Sequence, residues 1–311
     1  MRENDFIAWL AEKTPTPSSV RIGIGDDMAA VELPVRTGES HALALLKIDQ
    51  SLDGVHFDLK RHTPAQAGRK AVNRCLSDCA AMACRPAAVL LAVALPHHIE
   101  EEVARELFSG GQAAAAAFNT PVVGGDTAIW DQRLAISVAA LGAATGPLLR
   151  RNQARSGDAL CVTGSLGGSL LGRHLNFTPR IDLAQRLAAS VDIHAMMDIS
   201  DSLAIDLPRL AQASGVGAVV YRQALPIHQD ARTLSARDGR EDWFHALCDG
   251  EDYELLFALD AAHAHRILQL PGAERITVIG QVTGGREITL RDEDGTTLPW
   301  PQAGWEYRTG A

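Results

Sequence analysis

Val20-Arg21-Ile22-Gly23-Ile24-Gly25-Asp26-Asp27 alternates like a half-buried strand, then breaks at a glycine followed by two carboxylates. The pattern returns along the chain. Ala42 to Ile48 is an apolar strand candidate ending in Asp49, and Val122-Val123 leads into Gly124-Gly125-Asp126-Thr127. Met197-Asp198-Ile199-Ser200-Asp201 carries two more acids, and Asp249, Glu251 and Asp252 precede a strand from Tyr253 to Leu259. Any single Gly-Asp after a strand reads as a turn, because both residues are turn formers. Recurrence in both halves of the chain reads differently. Carboxylates gathered at strand ends are the ligand set of a hard cation such as Mg²⁺, and adjacent glycines let phosphate oxygens approach the backbone.

Helical patterns separate these strands. Phe6, Ile7, Trp9 and Leu10 fall at helical spacing before Thr14-Pro15-Thr16-Pro17, where proline stops a helix. Thr63-Pro64 opens a helix, with threonine as cap and proline at the first position, that continues to about Ala83. Ala87 to Leu95 is a continuous apolar run, read as a buried strand. Ile99 to Phe118 is a helix, and Leu134 to Leu141 another strand. Ala143-Ala144-Thr145-Gly146-Pro147 is the first good linker. Beyond it comes the strand Ala159 to Thr163 and the turn Gly164-Ser165-Leu166-Gly167-Gly168, and helices then alternate with strands. The expectation is an α+β domain over 1–148 and an α/β domain over 149–311, as befits 311 residues.

Composition narrows the function. Thirty-eight acidic residues against 29 Lys and Arg give a formal charge of −9, which repels both a nucleic-acid backbone and an anionic membrane. No apolar run approaches the roughly 20 residues of a membrane span, and Met1-Arg2-Glu3-Asn4-Asp5 does not begin a signal peptide. Five widely spread cysteines point to a reducing, cytoplasmic setting. Cys75, Cys79 and Cys84 match no zinc spacing and read as core. The P-loop, the dinucleotide fingerprint, the Gly-x-Ser-x-Gly elbow and His-Glu-x-x-His are all missing. Read locally, Asp78 pairs with Arg74 on a helix surface and Asp198 caps the helix that starts near Asp201.

Six motifs in order carry a resemblance. They are Gly23-Ile24-Gly25-Asp26-Asp27, Asp53-Gly54-Val55-His56-Phe57 and Leu76-Ser77-Asp78-Cys79-Ala80-Ala81-Met82. Val123-Gly124-Gly125-Asp126-Thr127, Met197-Asp198-Ile199-Ser200-Asp201 and Gly250-Glu251-Asp252-Tyr253-Glu254-Leu255 complete the series. Together they resemble the bacterial thiamine-monophosphate kinases, of the aminoimidazole-ribonucleotide-synthetase-like superfamily, from about residue 5 to Tyr307. The resemblance implies a homodimer, with an N-terminal α+β domain dimerising through its sheet and a C-terminal α/β domain beside it. It implies ATP-dependent phosphorylation of thiamine monophosphate to thiamine diphosphate with Mg²⁺. Asp27, Asp49, Asp78, Asp126, Asp198 and Asp201 match the metal-binding carboxylates, with Asp126, Asp198 and Asp201 at the catalytic centre. Gly125, Asp126, Arg151 and Ser200 match nucleotide contacts, and His56, Glu251 and Trp305 match contacts to thiamine phosphate.

The chemistry is consistent with that allocation. Both reactants are polyanions, so neutralising charge is the main task, and an ionised phosphate acceptor needs no general base. Trp305 either stacks on the cationic thiazolium or pyrimidine or anchors the C-terminal segment on the core. Four departures stand out: Lys47-Ile48 where the family has small hydroxyl residues, Ser202 and Asp249 where it has glycine, and Val72-Asn73-Arg74-Cys75 where it has Val-Asn immediately before Leu-Ser-Asp. Lys47 either supplies a fixed charge beside the metal positions or turns outward with its stem covering the strand. Two further readings are another ATP-driven reaction of the superfamily and a diverged nucleotide binder with little turnover. Carbamoyl-dehydrating relatives use a C-terminal cysteine, whereas this chain ends Arg308-Thr309-Gly310-Ala311. Selenophosphate-type relatives carry a reactive Cys or selenocysteine near the N-terminus, whereas the first cysteine here is Cys75.

Overall fold

The computed structural model describes residues 3–33, 42–144, 146–270 and 275–305. Thr145 of the expected linker, the end of the resemblance at Tyr307 and the terminal Arg308-Thr309-Gly310-Ala311 lie outside the described residues. The first half runs α1 (Glu3–Lys13), β1 (Val20–Ile22), β2 (Ala29–Leu33), β3 (Ala42–Leu52), α2 (Pro64–Ala81), β4 (Arg85–Pro96), α3 (Glu101–Ala116), β5 (Val122–Trp130) and β6 (Ala135–Ala143). Its sheet has the order β1-β2-β3-β6-β4-β5. Only β4 and β5 are parallel, as α3 connecting them requires. Helix α2 starts where the sequence predicts. The Thr63 hydroxyl accepts from the Gln66 N–H, the Gln66 side chain accepts from the Thr63 N–H, and Pro64 takes the first turn. Gly68 lets α3 lie close, since a Cβ there would meet the Leu107 carbonyl oxygen at 1.9 Å.

Three strands differ from expectation. β3 does not end at Asp49 but pairs with β6 as far as Leu52↔Ala135, so Asp49 sits mid-strand. β5 runs straight through Gly124-Gly125-Asp126, which places Asp126 within an edge strand rather than after one. β4 is buried on one face only: Val89 and Leu91 pack under the helices, while Leu90 is 47% exposed on the other side. A uniformly apolar run does not say which of its faces is covered. The uncovered face also carries exposed Leu46, Ile48, Val123 and Leu141, which line a shallow apolar groove of about 410 Å³.

The second half runs β7 (Ala159–Thr163), α4 (Ile181–Ser190), β8 (Ile193–Ile199), α5 (Leu203–Ser214), β9 (Gly217–Tyr221), α6 (Gln229–Asp238), α7 (Asp242–Cys248), β10 (Glu254–Leu259), α8 (Ala264–Ile267), β11 (Ile276–Thr283), β12 (Ile288–Arg291) and β13 (Thr297–Pro299). Its sheet order is β13-β12-β9-β11-β7-β10-β8, mixed, with β9 and β12 the parallel pair. β7, β8 and β10 are buried at every position, as suits strands covered on both faces.

The apolar core is not confined to one half. Helix α2 packs on the first sheet and also on α4 and β8, and Val72 and Leu76 share one buried cluster with Leu187 and Phe257. The far face of the second sheet has its own cluster around Leu160, Leu207 and Leu256. By bridging the halves, α2 brings acids of the first sheet against the end of β8. The five cysteines are buried and free, and among the described residues no helix is long and apolar enough to cross a membrane.

Candidate active site

Four elements converge on a cavity of about 1370 Å³. The loop after β1 contributes Asp26 and Asp27, β3 contributes Lys47 and Asp49, α2 contributes Asp78, and β8 with its following loop contributes Asp198, Ser200 and Asp201. Lys47 and Asp49 share the helix-covered face of β3 because side chains alternate along a strand, and Ile48 lies on the opposite face. One oxygen each from Asp27, Asp78 and Asp198 lies within 4.8 Å of the others. All three residues are buried. Asp78 is therefore not the surface partner of Arg74: its Oδ1 accepts from Lys47 Nζ at 2.7 Å, while Arg74 donates to the Gln50 carbonyl and the Ser51 hydroxyl. Asp198 does not cap a helix either, and its Oδ2 accepts from Ser77 Oγ at 2.6 Å.

The charges in this cluster do not balance. Asp27 Oδ1 accepts from Arg151 at 2.7 Å, but its buried Oδ2 has no partner. Burial pushes the carboxyls of Asp27 and Asp78 up, and burial with the neighbouring Asp27 charge pushes Asp198 up to about 6, against the Ser77 hydrogen bond and Lys47. Burial also opposes ionisation of Asp49, yet Lys47 and Arg74 outweigh it and hold that carboxyl below the usual range. An orphaned carboxylate oxygen beside two more buried carboxylates is a donor set that a hard divalent cation satisfies.

Asp201 lines the cavity but belongs to a different arrangement. Its Oδ2 accepts from Arg209 at 2.5 Å, and Arg209 also donates to Asp206 at 2.8 Å. Asp206 is fully buried, and its Oδ2 accepts the backbone N–H groups of Ser200, Asp201 and Ser202. It thus fixes the loop on which Ser200 and Asp201 stand. Sequence reading missed Asp206, although an acid in the first turn of α5 was the available signal.

A second ionic group borders the same cavity. Lys70, fully buried on α2, donates to the His56 carbonyl and to Glu251 Oε2 at 2.5 Å, and His174 Nδ1 lies 2.6 Å from Lys70 Nζ and 3.0 Å from Glu251 Oε2. Tyr253 donates to the other Glu251 oxygen at 3.1 Å. Burial opposes the Glu251 charge, but His174 and Lys70 hold its pKa at about 2; burial lowers Lys70 to about 8. Glu251 and Tyr253 have φ of +55° and +50°, strain kept in place by Glu251 N–H to Ser200 O and Tyr253 N–H to Ile199 O. His56 Nδ1 accepts the Leu52 N–H at 3.0 Å, and burial, then Arg74, lower its pKa to about 3. Neither Lys70 nor His174 was marked by a motif. Trp305, 44% exposed, lines the cavity and donates its backbone N–H to Asp201 O.

Other acids of the motifs serve the backbone. Asp249 accepts the Gly168 N–H and Asp252 the Gly167 N–H, so the two fasten the glycine turn after β7, and Asp252 also accepts from Arg173 at 3.0 Å. Gly125 and Asp126 are exposed on β5 and do not reach the cavity of their own chain. Asp49, Val138, Leu91 and Gly125 form one row across the sheet, three strand spacings or roughly 14 Å. Glycine at 125 also has a packing cause, since a Cβ there would meet the Leu91 carbonyl oxygen at 1.8 Å.

Comparison with known proteins agrees with this geometry. Residues 25–144 match the N-terminal domain, and 139–293 the C-terminal domain, of AIR synthase related proteins. A thiamine-monophosphate kinase of Rhodopirellula baltica is 39% identical over 284 residues, covering 91% of this chain and 90% of its own. One from Aquifex aeolicus is 31% identical over 304 residues, covering 91% and 92%. The solved structure of AaThiL complexed with AMPPCP and TMP superposes with a TM-score of 0.81 at 29% identity, covering 98% of this chain and 96% of that one. Matched in both domains and along nearly its whole length, the chain belongs to the thiamine-monophosphate kinase family of AIR synthase related proteins.

Proposed function

We propose that this chain phosphorylates thiamine monophosphate to thiamine diphosphate, with ATP as donor and Mg²⁺ held by Asp27, Asp78 and Asp198. The observation that carries the reading is the unbalanced carboxylate cluster, with its orphaned Asp27 oxygen, in a cavity large enough for two phosphate-bearing ligands. Bound there, Mg²⁺ supplies positive charge between two reactants that otherwise repel each other. The chain's own residues do the rest. Arg151, held by Asp27, offers a guanidinium to nucleotide phosphate, and the Asp206-fixed loop presents Ser200 to the same cavity. Glu251 and Trp305 face the acceptor: a carboxylate kept ionised by Lys70 and His174, and an indole with the flat face that suits a thiazolium. His56 is neutral at pH 7 and its Nδ1 is occupied, so it takes no proton from the acceptor. None is needed, because the attacking phosphate oxygen is already ionised.

The site is completed by a second copy of the chain. Asp126 stands on the edge strand too far from Asp49 to share an ion with it. The open sheet face around Leu46, Ile48, Leu90 and Val123 is apolar, and covering it removes that surface from water. A homodimer through this face brings Gly125 and Asp126 of one protomer toward the nucleotide of its partner. Five buried free thiols fit a reducing cytoplasm. The test is turnover with ATP, Mg²⁺ and thiamine monophosphate beside a panel of other phosphorylated acceptors. Thiamine diphosphate as the dominant product is expected; preference for another acceptor overturns the substrate.

A further inference from the structure

Lys47 reaches into the acidic cluster rather than away from it. Its Nζ stands 2.7 Å from Asp78 Oδ1 and 3.5 Å from Asp49 Oδ1, on the cavity wall, with the side chain only 23% exposed. The outward-turned reading, in which the stem merely covers the strand, is therefore not what the chain adopts. An ammonium and a divalent ion compete for the same carboxylate lone pairs. Asp78 Oδ1 is one of those lone-pair sites, and Lys47 fills it. Two carboxylates this close favour the charged form, so Lys47 stands in the cluster as an ammonium. Ile48 contributes nothing to the same cluster, being 67% exposed on the other face of β3.

We infer that Lys47 is a tethered resident cation, holding between Asp49 and Asp78 a position that a free divalent ion would otherwise take and presenting its charge to a nucleotide phosphate in the cavity. This rests on the proposed kinase reading. It makes nucleotide binding less dependent on free metal, because one positive charge never leaves the site. A single charge replaces a double one, and a flexible ammonium replaces a fixed octahedral ion.

Ion counting tests this independently of turnover. Mn²⁺ bound per chain is measured by the paramagnetic resonance signal of free Mn²⁺, with AMPPCP present, for the native chain, Lys47→Ser and Lys47→Met. Lys47→Ser, which vacates the position, should bind one Mn²⁺ more than the native chain. Lys47→Met keeps the stem, protects the fold and removes the charge, and at subsaturating Mn²⁺ it should bind AMPPCP about tenfold more weakly. Equal ion counts in the native and serine chains, or unchanged or tighter AMPPCP binding by the methionine chain, would overturn the role of Lys47. A native chain that binds neither Mn²⁺ nor AMPPCP contradicts the kinase reading itself, and the Lys47 inference falls with it.

Discussion

Two ionic groups border the same cavity, and they are built on opposite principles. Around Glu251 the charges close: Lys70 is enclosed by the His56 carbonyl, Glu251 and His174, and both Glu251 oxygens are engaged. Around Asp27, Asp78 and Asp198 they do not close, since Lys47 and Arg151 leave negative charge over and one oxygen without any partner. Burial presses on both groups, yet Glu251 is held ionised while Asp198 is driven up to about 6. A satisfied buried pair fixes a strained loop in place. An unsatisfied one is waiting for a ligand.

Breaking the open group should cost activity and spare the fold. Asp198→Asn keeps the shape and the Ser77 partner but loses a charge, so turnover should fall by roughly 10³-fold while the circular dichroism spectrum is unchanged. Near-native turnover would remove Asp198 from the metal site. The next effect is on assembly. Leu90→Asp puts a charge on the open sheet face, and light scattering should then report a mass near 33.2 kDa in place of twice that value. Turnover should drop with it, by roughly 10²-fold, because Asp126 no longer reaches a partner. A native chain already at 33.2 kDa would end the dimer proposal.

Breaking the closed group should cost the fold and spare the metal site. Lys70→Met strands Glu251 without its cation and should destabilise the fold by about 3 kcal/mol in urea melts at pH 7, leaving the number of Mn²⁺ ions bound unchanged. Its pH dependence sharpens the point. Glu251 has a depressed folded pKa, about 2 against an ordinary 4.5, so its stabilisation is present above 4.5 and lost as pH falls toward 2. Lys70→Met raises that folded pKa. The gap between native and variant should therefore narrow by roughly 1 kcal/mol between pH 7 and pH 3.5. A gap that stays constant would mean that Lys70 does not hold the Glu251 charge.

The sequence showed elements and acids more readily than their pairing. The Thr63 cap, the strand Ala159–Thr163 and the six motifs were legible because each is a local signal. Asp78 was read with Arg74 because four residues on a helix are neighbours, whereas its partner Lys47 lies 31 residues away on a strand. Lys70 and His174 are 104 residues apart, and no spacing rule joins them. Asp126 was legible as a motif residue but not as part of an edge strand, because its strand pairs only with β4, more than 30 residues back in the chain, and no local signal in Gly-Gly-Asp shows that pairing. Lys47 was visible as a departure from a pattern, and only the alternation along β3 shows which face it takes.

The central claim is that the open group is a cation site serving the nucleotide. Crystals grown with Mn²⁺ and AMPPCP test it through the anomalous scattering of manganese. The account predicts a peak at about 2.1 Å from oxygens of Asp27, Asp78 and Asp198, with Lys47 Nζ still on Asp78 and Asp126 of a second protomer turned toward the phosphates. Nucleotide bound in the cavity with no manganese at those three carboxylates would contradict it.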